Sequence, residues 1–240
     1  MDPITAFVVR IFSTPGVALW LAGGILAFAT GLIVRGGWLG YRPLRAALND
    51  RWNKLSALNV HYLDDTQFLE VDRVFSSTDV PELTEGWVRY RSLLTLQPDR
   101  RYATSIHAAE AFDHLDEPAR TLEWWANILV AAGLVVTFLG IVAALSEATA
   151  TIGQGAVAEG ALLGLLAVAA TKFWTSIAGV AGSILLRITA RNWRRRTELG
   201  ARLLFAQLDA AVVFLPPEKA LLEQLSALNR IETALKARAS

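Results

Sequence analysis

Three long runs of apolar residues dominate the pattern of the chain. They cover about Pro15–Val34, about Trp124–Leu145 and a stretch from near Gly160 to Leu186. A helix needs roughly 17–25 mostly apolar residues to cross a bilayer, and each run meets that length. The pattern therefore predicts three transmembrane helices. A cleaved signal peptide stays open for the first run, and a buried helix of a soluble protein stays open for all three.

The segment between the first two runs has the spacing of amphipathic helices. Its first apolar positions are three or four residues apart, at Leu44, Leu48, Trp52 and Leu55. Such spacing places side chains on one helical face. Two more stretches, Glu82–Leu96 and Tyr102–Leu115, are each followed within three residues by a proline. We expect three or four helices here, because no strand alternation or hairpin signal competes.

The tail after the third run is also predicted to be helical. The helix continues the third span to Leu215, where Pro216 and Pro217 interrupt it. Leucines then recur at a 4–3–7 spacing, at Leu221, Leu225, Leu228 and Leu235. This spacing is typical of the start of a coiled coil, although a simple amphipathic helix fits equally well. The pattern is still in progress at Ser240, so we expect either a longer natural tail or a shortened chain.

Together these patterns predict an all-α membrane protein with three transmembrane helices, a helical cytoplasmic segment and a helical C-terminal tail. Its four segments are 1–35 (N-terminal segment and first span), 36–123 (cytoplasmic helices), 124–190 (second and third spans) and 191–240 (cytoplasmic tail).

The distribution of basic residues predicts the orientation of the spans. Arginines are frequent after the first and third spans, and Ser146–Glu159 contains no lysine or arginine. Cytoplasmic loops carry the excess of Lys and Arg. We therefore expect the N-terminus outside, the hairpin outside and the C-terminus in the cytoplasm.

Composition narrows the possible functions. The chain has 240 residues, 53% of them hydrophobic and 19% charged, with a net charge of +1 and no cysteine. This charge is too small to hold nucleic acid, and disulfides and thiolate chemistry are excluded. No phosphate-binding glycine loop or nucleophile elbow is present, so we expect no enzyme activity and no cofactor. His107 and His114 lie near carboxylates, but a solvated surface explains them better than a metal site.

Two spans carry ordered stripes of small and hydroxyl residues. The stripes are Gly133, Thr137, Gly140 and Ala144 on the second span, and Thr171, Thr175, Gly179 and Ser183 on the third. Small residues allow helices to approach closely in lipid, which is the role we expect for Gly133, Gly140, Gly179 and Gly182. A threonine can bond its own i−4 carbonyl. Alternatively, Thr137 and Thr175 line an ion pathway, with Thr171, Ser183 and Lys172 as secondary candidates.

Lys172 has two interpretations. Its ammonium group reaches the outer interface, or it faces the interior of the bundle and tunes ion selectivity. No Asp or Glu lies inside any span. Proton relays through membranes need an ionisable carrier, so a conducting complex would require a partner that supplies the acid.

Two of these runs resemble a known family. The segment Gly133–Ile141 (GLVVTFLGI) is similar to the second-span signature of the MotA/TolQ/ExbB proton-channel family, and Phe173–Gly179 (FWTSIAG) resembles its third core span. Within the family the chain is most similar to ZorA, the motor subunit of the Zorya anti-phage defence system. The chain departs from the pattern at Val136, where the family commonly has glycine.

The resemblance implies a bacterial inner-membrane homopentamer around two single-span partners of the MotB/ZorB/ExbD type, each carrying a membrane aspartate. It implies that ions pass Thr137 and Thr175, as protons or sodium ions, and drive rotation. An energy transducer of the ExbB/TolQ kind is an alternative within the family. A non-conducting membrane scaffold or signalling protein is an alternative of another class.

Overall fold

The computed structural model describes most of the chain. The described residues are 16–60, 62–76, 80–153, 158–216, 218–219, 221–222, 225–226 and 228–232. Within this set, the side chains of 147, 148, 150–153 and 158–172 are not described, although their backbone is helical.

The described chain is almost entirely helical. Its helices are α1 (Val17–Gly36), α2 (Arg42–Leu58), α3 (Asp65–Ser76), α4 (Pro81–Ser92), α5 (Ala108–Ala111), α6 (Glu117–Gly153) and α7 (Ala158–Ala211). A π-helical turn, Gly37–Tyr41, joins α1 to α2, and a 3-10 turn covers Asp113–Asp116. Three short strands are β1 (Thr95–Leu96), β2 (Tyr102–Thr104) and β3 (Val213–Phe214) among the described residues.

Three helical segments are long and apolar enough to cross a membrane. They lie within Val17–Leu58, Asp113–Ser146 and Phe173–Ala211 of the described chain. The predicted all-α fold with three spans of this kind is therefore confirmed. Helix α6, which contains the second predicted span, is longer than that span, because it begins at Glu117 rather than near Trp124. Pro118 fits there because the first turn of a helix does not need its backbone N–H.

The chain divides into two compact units. The span unit comprises the described residues of Met1–Tyr41 and Pro118–Arg194. The helix–sheet unit comprises the described residues of Arg42–Glu117 and Arg195–Ser240.

The span unit has a core of small and medium side chains. Its buried cluster is Ala29, Ala119, Leu122, Ala126, Leu129, Leu186 and Ala190. The Trp193 ring stacks on Tyr41, the last residue of the π-helical turn after α1, with centroids 5.0 Å apart. The same ring packs closely on Gly36, because a Cβ added there would be only 3.3 Å from it. Gly23 and Gly31, by contrast, have no described atom within 4 Å of an added Cβ.

The helix–sheet unit has a core rich in aromatic side chains. Trp87, Tyr90 and Phe75 are fully buried, and the Phe75 and Trp87 rings stack with centroids 4.6 Å apart. The predicted face of α2 is buried through Leu44, Leu48 and Leu55. Trp52, the remaining member of that pattern, is exposed. Three of the four predicted positions therefore pack as the helical spacing predicts, and Trp52 does not.

A side chain defines the beginning of α3. The Asp64 carboxylate accepts hydrogen bonds from the backbone N–H of Gln67 at 2.8 Å and from that of Thr66 at 3.0 Å. These are donors that a helix leaves without intrahelical partners. The bonds favour the charged form and lower the pKa of Asp64, the Gln67 bond being the largest cause.

The structure corrects three helical predictions in the helix–sheet unit. The predicted helix that continues the third span to Leu215 ends at Ala211, and Val213–Phe214 is β3 instead. The predicted helix Glu82–Leu96 ends at Ser92, and Thr95–Leu96 is β1 instead. The predicted helix Tyr102–Leu115 begins with β2, followed by α5 and the 3-10 turn. β1 pairs with β2 in antiparallel orientation, and β2 pairs with β3 in parallel orientation. β3 lies more than 100 residues after β2 in sequence, so no local sequence pattern predicts their pairing.

In the tail, the described backbone at 228–232 is helical. Leu221, Leu225 and Leu228 are exposed. Leu235 lies outside the described residues, so the coiled coil stays a prediction.

Candidate functional site

Helices α6 and α7 touch through two glycines. A Cβ added at Gly179 would lie 2.8 Å from the Leu129 carbonyl oxygen and 3.0 Å from the Gly133 Cα. A Cβ added at Gly133 would lie 3.1 Å from the Gly179 Cα. These distances are shorter than side-chain carbons normally adopt. The two backbones are therefore in direct contact, and Gly133 and Gly179 make this contact possible.

The candidate threonines meet one helical turn from this contact. The hydroxyls of Thr137 and Thr175 are 3.0 Å apart. The Thr137 hydroxyl also donates to the Gly133 carbonyl oxygen at 2.8 Å. A hydroxyl carries one proton, so when Thr137 donates to Gly133, Thr175 is the donor of the bond between the threonines. The structure thus brings the two leading candidates together and also contains the local i−4 bond.

Both hydroxyls are inside the span unit of a single chain. Thr137 is 4% exposed and Thr175 is 2% exposed. The surrounding sequence is uncharged from Asn127 to Leu145 and from Phe173 to Leu186. The site is therefore a neutral hydroxyl pair in an apolar environment, where a hydrogen bond is electrostatically stronger than in water.

The other candidates have different positions. Ser183 is buried on α7, and Gly140 is buried on α6. Gly182 lies beside α1, where an added Cβ would be 3.4 Å from the Ala29 Cβ. The side chains of Thr171 and Lys172 lie outside the described residues.

Two polar contacts between α6 and α7 were missed by sequence reasoning. Arg187 Nη2 donates to Asn127 Oδ1 at 2.8 Å. Arg194 Nη2 donates to Glu123 Oε2 at 3.1 Å. The sequence shows Asn127 as a polar residue in the apolar run Trp124–Leu145. It does not show that Arg187 is its partner, because this contact depends on the antiparallel register of α6 and α7. That register is the same one that joins Thr137 to Thr175.

The histidines make separate contacts with carboxylates. His107 Nδ1 is 3.3 Å from Asp209 Oδ2, and His114 Nε2 is 3.3 Å from Asp113 Oδ1. His61 lies outside the described residues. Across the part of the chain that the structure describes, no three His, Asp or Glu residues are grouped closely enough to hold a metal ion.

Comparisons of the chain with protein-family models and with curated proteins found no match.

Proposed function

We propose that the chain is the wall-forming subunit of an ion-conducting motor of the MotA/TolQ/ExbB type, with protons as the ion and with anti-phage defence as its setting. One observation carries the proposal: Thr137 and Thr175 place two hydroxyls 3.0 Å apart between uncharged helices. Hydroxyl oxygens can bind a cation or a hydrated proton. They do so without the strong attraction of a fixed carboxylate, which would hold the ion in place.

The burial of the pair defines how it would act. In one chain the two hydroxyls bond to each other. In the proposed complex, a partner helix lies against this crossing. The hydroxyls then exchange their mutual bond for bonds to the passing ion and to the carboxylate of the partner. The exchange is favourable for the hydroxyls, because hydrogen bonds to charged groups are stronger than the neutral bond that they replace.

A partner is required because the chain supplies no acid here. The sequences Asn127–Leu145 and Phe173–Leu186 contain no Asp or Glu. Proton relays through membranes use ionisable side chains. The proposed assembly is a homopentamer around two single-span partners of the MotB/ZorB/ExbD type, each with a membrane aspartate. It lies in the bacterial inner membrane with the N-terminus outside and the C-terminus in the cytoplasm.

Hydroxyl removal at constant shape tests the proposal. The chain and its single-span partner are reconstituted in liposomes, and proton uptake driven by a membrane potential is followed with a pH-sensitive dye. The double variant Thr137→Val with Thr175→Val should lower the flux about tenfold or more, equivalent to about 1.4 kcal/mol in the barrier. The matched control, with serine at both positions, keeps the hydroxyls and should keep the flux.

The mass of the purified complex is measured for every variant, so that lost assembly is distinguished from lost conduction. Equal flux in the valine and wild-type complexes would refute the proposed ion path. Rotation measured on the same complex separates a motor from an energy transducer of the ExbB/TolQ kind, which would conduct through the same pair.

A non-conducting scaffold is the second candidate. It is favoured by the bond from Thr137 to the Gly133 carbonyl and by the backbone contact at Gly179, since both features stabilise helix packing without an ion. This hypothesis predicts no potential-driven flux in any variant.

A further inference from the structure

Arginines from α7 form a strip of surface beside α6 at one end of the span unit. Arg187 and Arg194 face α6, because they donate to Asn127 and Glu123 respectively. Arg191 lies between them in sequence, four residues after Arg187 and three before Arg194. Residues with this spacing are neighbours on one helical face. The three guanidinium groups therefore belong to one strip of surface.

The strip has more positive than negative charge. Glu123 pairs with Arg194, whereas the partner of Arg187 is the neutral amide of Asn127. Arg191 is exposed and makes no ion pair with any described residue. Arg187 is exposed as well. Two guanidinium groups thus keep donors available for an anion from outside the chain.

Exposed apolar side chains lie within one helical turn of these polar groups. Trp124 on α6 is three residues before Asn127, and Ile184 on α7 is three residues before Arg187. Guanidinium groups with apolar side chains beside them match the chemistry of a phospholipid. A free phosphate would leave this apolar part uncovered.

We propose that this strip binds an anionic phospholipid, with its phosphodiester on Arg187 and Arg191 and its acyl chains on the neighbouring apolar side chains. Guanidinium groups suit the role because their planar donors bind phosphate oxygens in pairs and they are weakly hydrated. Asn127 holds Arg187 in position on the strip through their 2.8 Å hydrogen bond. The inference requires that the span unit lies in a membrane, but it does not depend on ion conduction.

Lipid binding to the purified full chain in a non-ionic detergent tests the site. Native mass spectrometry follows titration with phosphatidylglycerol and, separately, with phosphatidylcholine of the same acyl chains. The wild-type chain should prefer phosphatidylglycerol by about tenfold. The double variant Arg187→Gln with Arg191→Gln should reduce the preference to about twofold or less. The control double variant Arg101→Gln with Arg230→Gln removes the same charge elsewhere and should keep the preference.

The single variant Arg191→Gln leaves the bond between Arg187 and Asn127 in place, so it separates lipid binding from any effect of that bond on folding. Arg191→Gln should lower the preference about threefold while the thermal unfolding midpoint stays unchanged. The proposal is overturned if the wild-type chain shows no preference, or if the control variant loses as much of the preference as the Arg187/Arg191 variant. Competition by millimolar glycerol phosphate would identify a free phosphate as the occupant and would also overturn it. Absence of potential-driven ion flux in the wild-type complex, together with a retained lipid preference, would refute the proposed function alone.

Discussion

The two units of the molecule bury opposite kinds of side chain. In the helix–sheet unit, Trp87 and Phe75 are inside and 1% exposed or less. In the span unit the buried positions include many alanines and glycines, whereas Phe138 and Trp174 are exposed and Trp20 is 84% exposed. The same kind of residue is therefore core in one unit and surface in the other.

The difference follows from the solvent that each surface meets. In water, burial of a large apolar side chain contributes about 1.5–3 kcal/mol, so the helix–sheet unit places its aromatic residues inside. Lipid tails are as apolar as leucine, so a span gains little by burying large side chains. Close backbone packing then decides the interface, and the Gly133–Gly179 contact is the result.

The largest expected effect comes from a tryptophan pair. Trp87→Ala should destabilise the chain by about 3–5 kcal/mol, because it leaves a cavity and removes the 2.8 Å bond from Trp87 Nε1 to Asp72. Trp20→Ala should change stability by about 0.5 kcal/mol or less. Urea unfolding of the detergent-solubilised chain, followed by circular dichroism, measures both. A large loss for Trp20 would show that its surface is covered by protein, and the contrast between the units would then fail.

A glycine pair tests the span unit. Gly179→Ala should destabilise the unit by about 1–3 kcal/mol, because the added carbon meets backbone atoms that have no room to move. Gly182→Ala is the matched control on the same helix. Its added carbon would make ordinary contacts at 3.4 Å and beyond, so a change of about 0.5 kcal/mol or less is expected. Thermal unfolding in detergent distinguishes the two, and equal effects would contradict direct backbone contact at Gly179.

The smallest expected effect concerns a buried hydroxyl in the helix–sheet unit. Burial, with a further contribution from the Asp209 charge, raises the pKa of Tyr90 well above its ordinary value of 10.0. The unfolded chain therefore loses this proton first, and stability falls as the pH rises past about 10. The Tyr90 hydroxyl has no hydrogen-bond partner among the described residues.

Tyr90→Phe should therefore stabilise the chain by up to about 1 kcal/mol at neutral pH and weaken the alkaline loss. Urea midpoints between pH 8 and pH 11 provide the measurement, with Tyr62→Phe as the exposed control. An alkaline loss of the same size in the Tyr90 variant would exclude this residue as its origin.

Local patterns predicted much of the fold but not its small sheet. The three spans, the buried face of α2 and the threonine stripes follow from spacing and composition. Pairing of Tyr102–Thr104 with Val213–Phe214 does not, because the partners are distant in sequence and each strand is two or three residues long. In the turn before β2, Arg100 adopts a left-handed conformation with φ 62°. Glycine is the residue that usually indicates such a turn in a sequence, and arginine does not.

The candidate site shows the same division. Thr137 and Thr175 were identified from the sequence because hydroxyls stand out in an uncharged apolar run. Their mutual bond, and the contacts of Arg187 and Arg194 with α6, depend on helix register. Register is determined by how two surfaces fit, and the Gly133–Gly179 contact is a property of both helices together.

The sequence alone determined that the chain is helical, that three segments are long and apolar enough to span a membrane, and that these segments lack acidic residues. These properties depend on the local order of side chains, which the amino-acid sequence contains in full. The tertiary structure decided which small residues touch, that two threonines share a hydrogen bond, and where the arginines find partners. Those outcomes depend on distances between residues far apart in the chain, because close packing is specific to the pair of surfaces that meet.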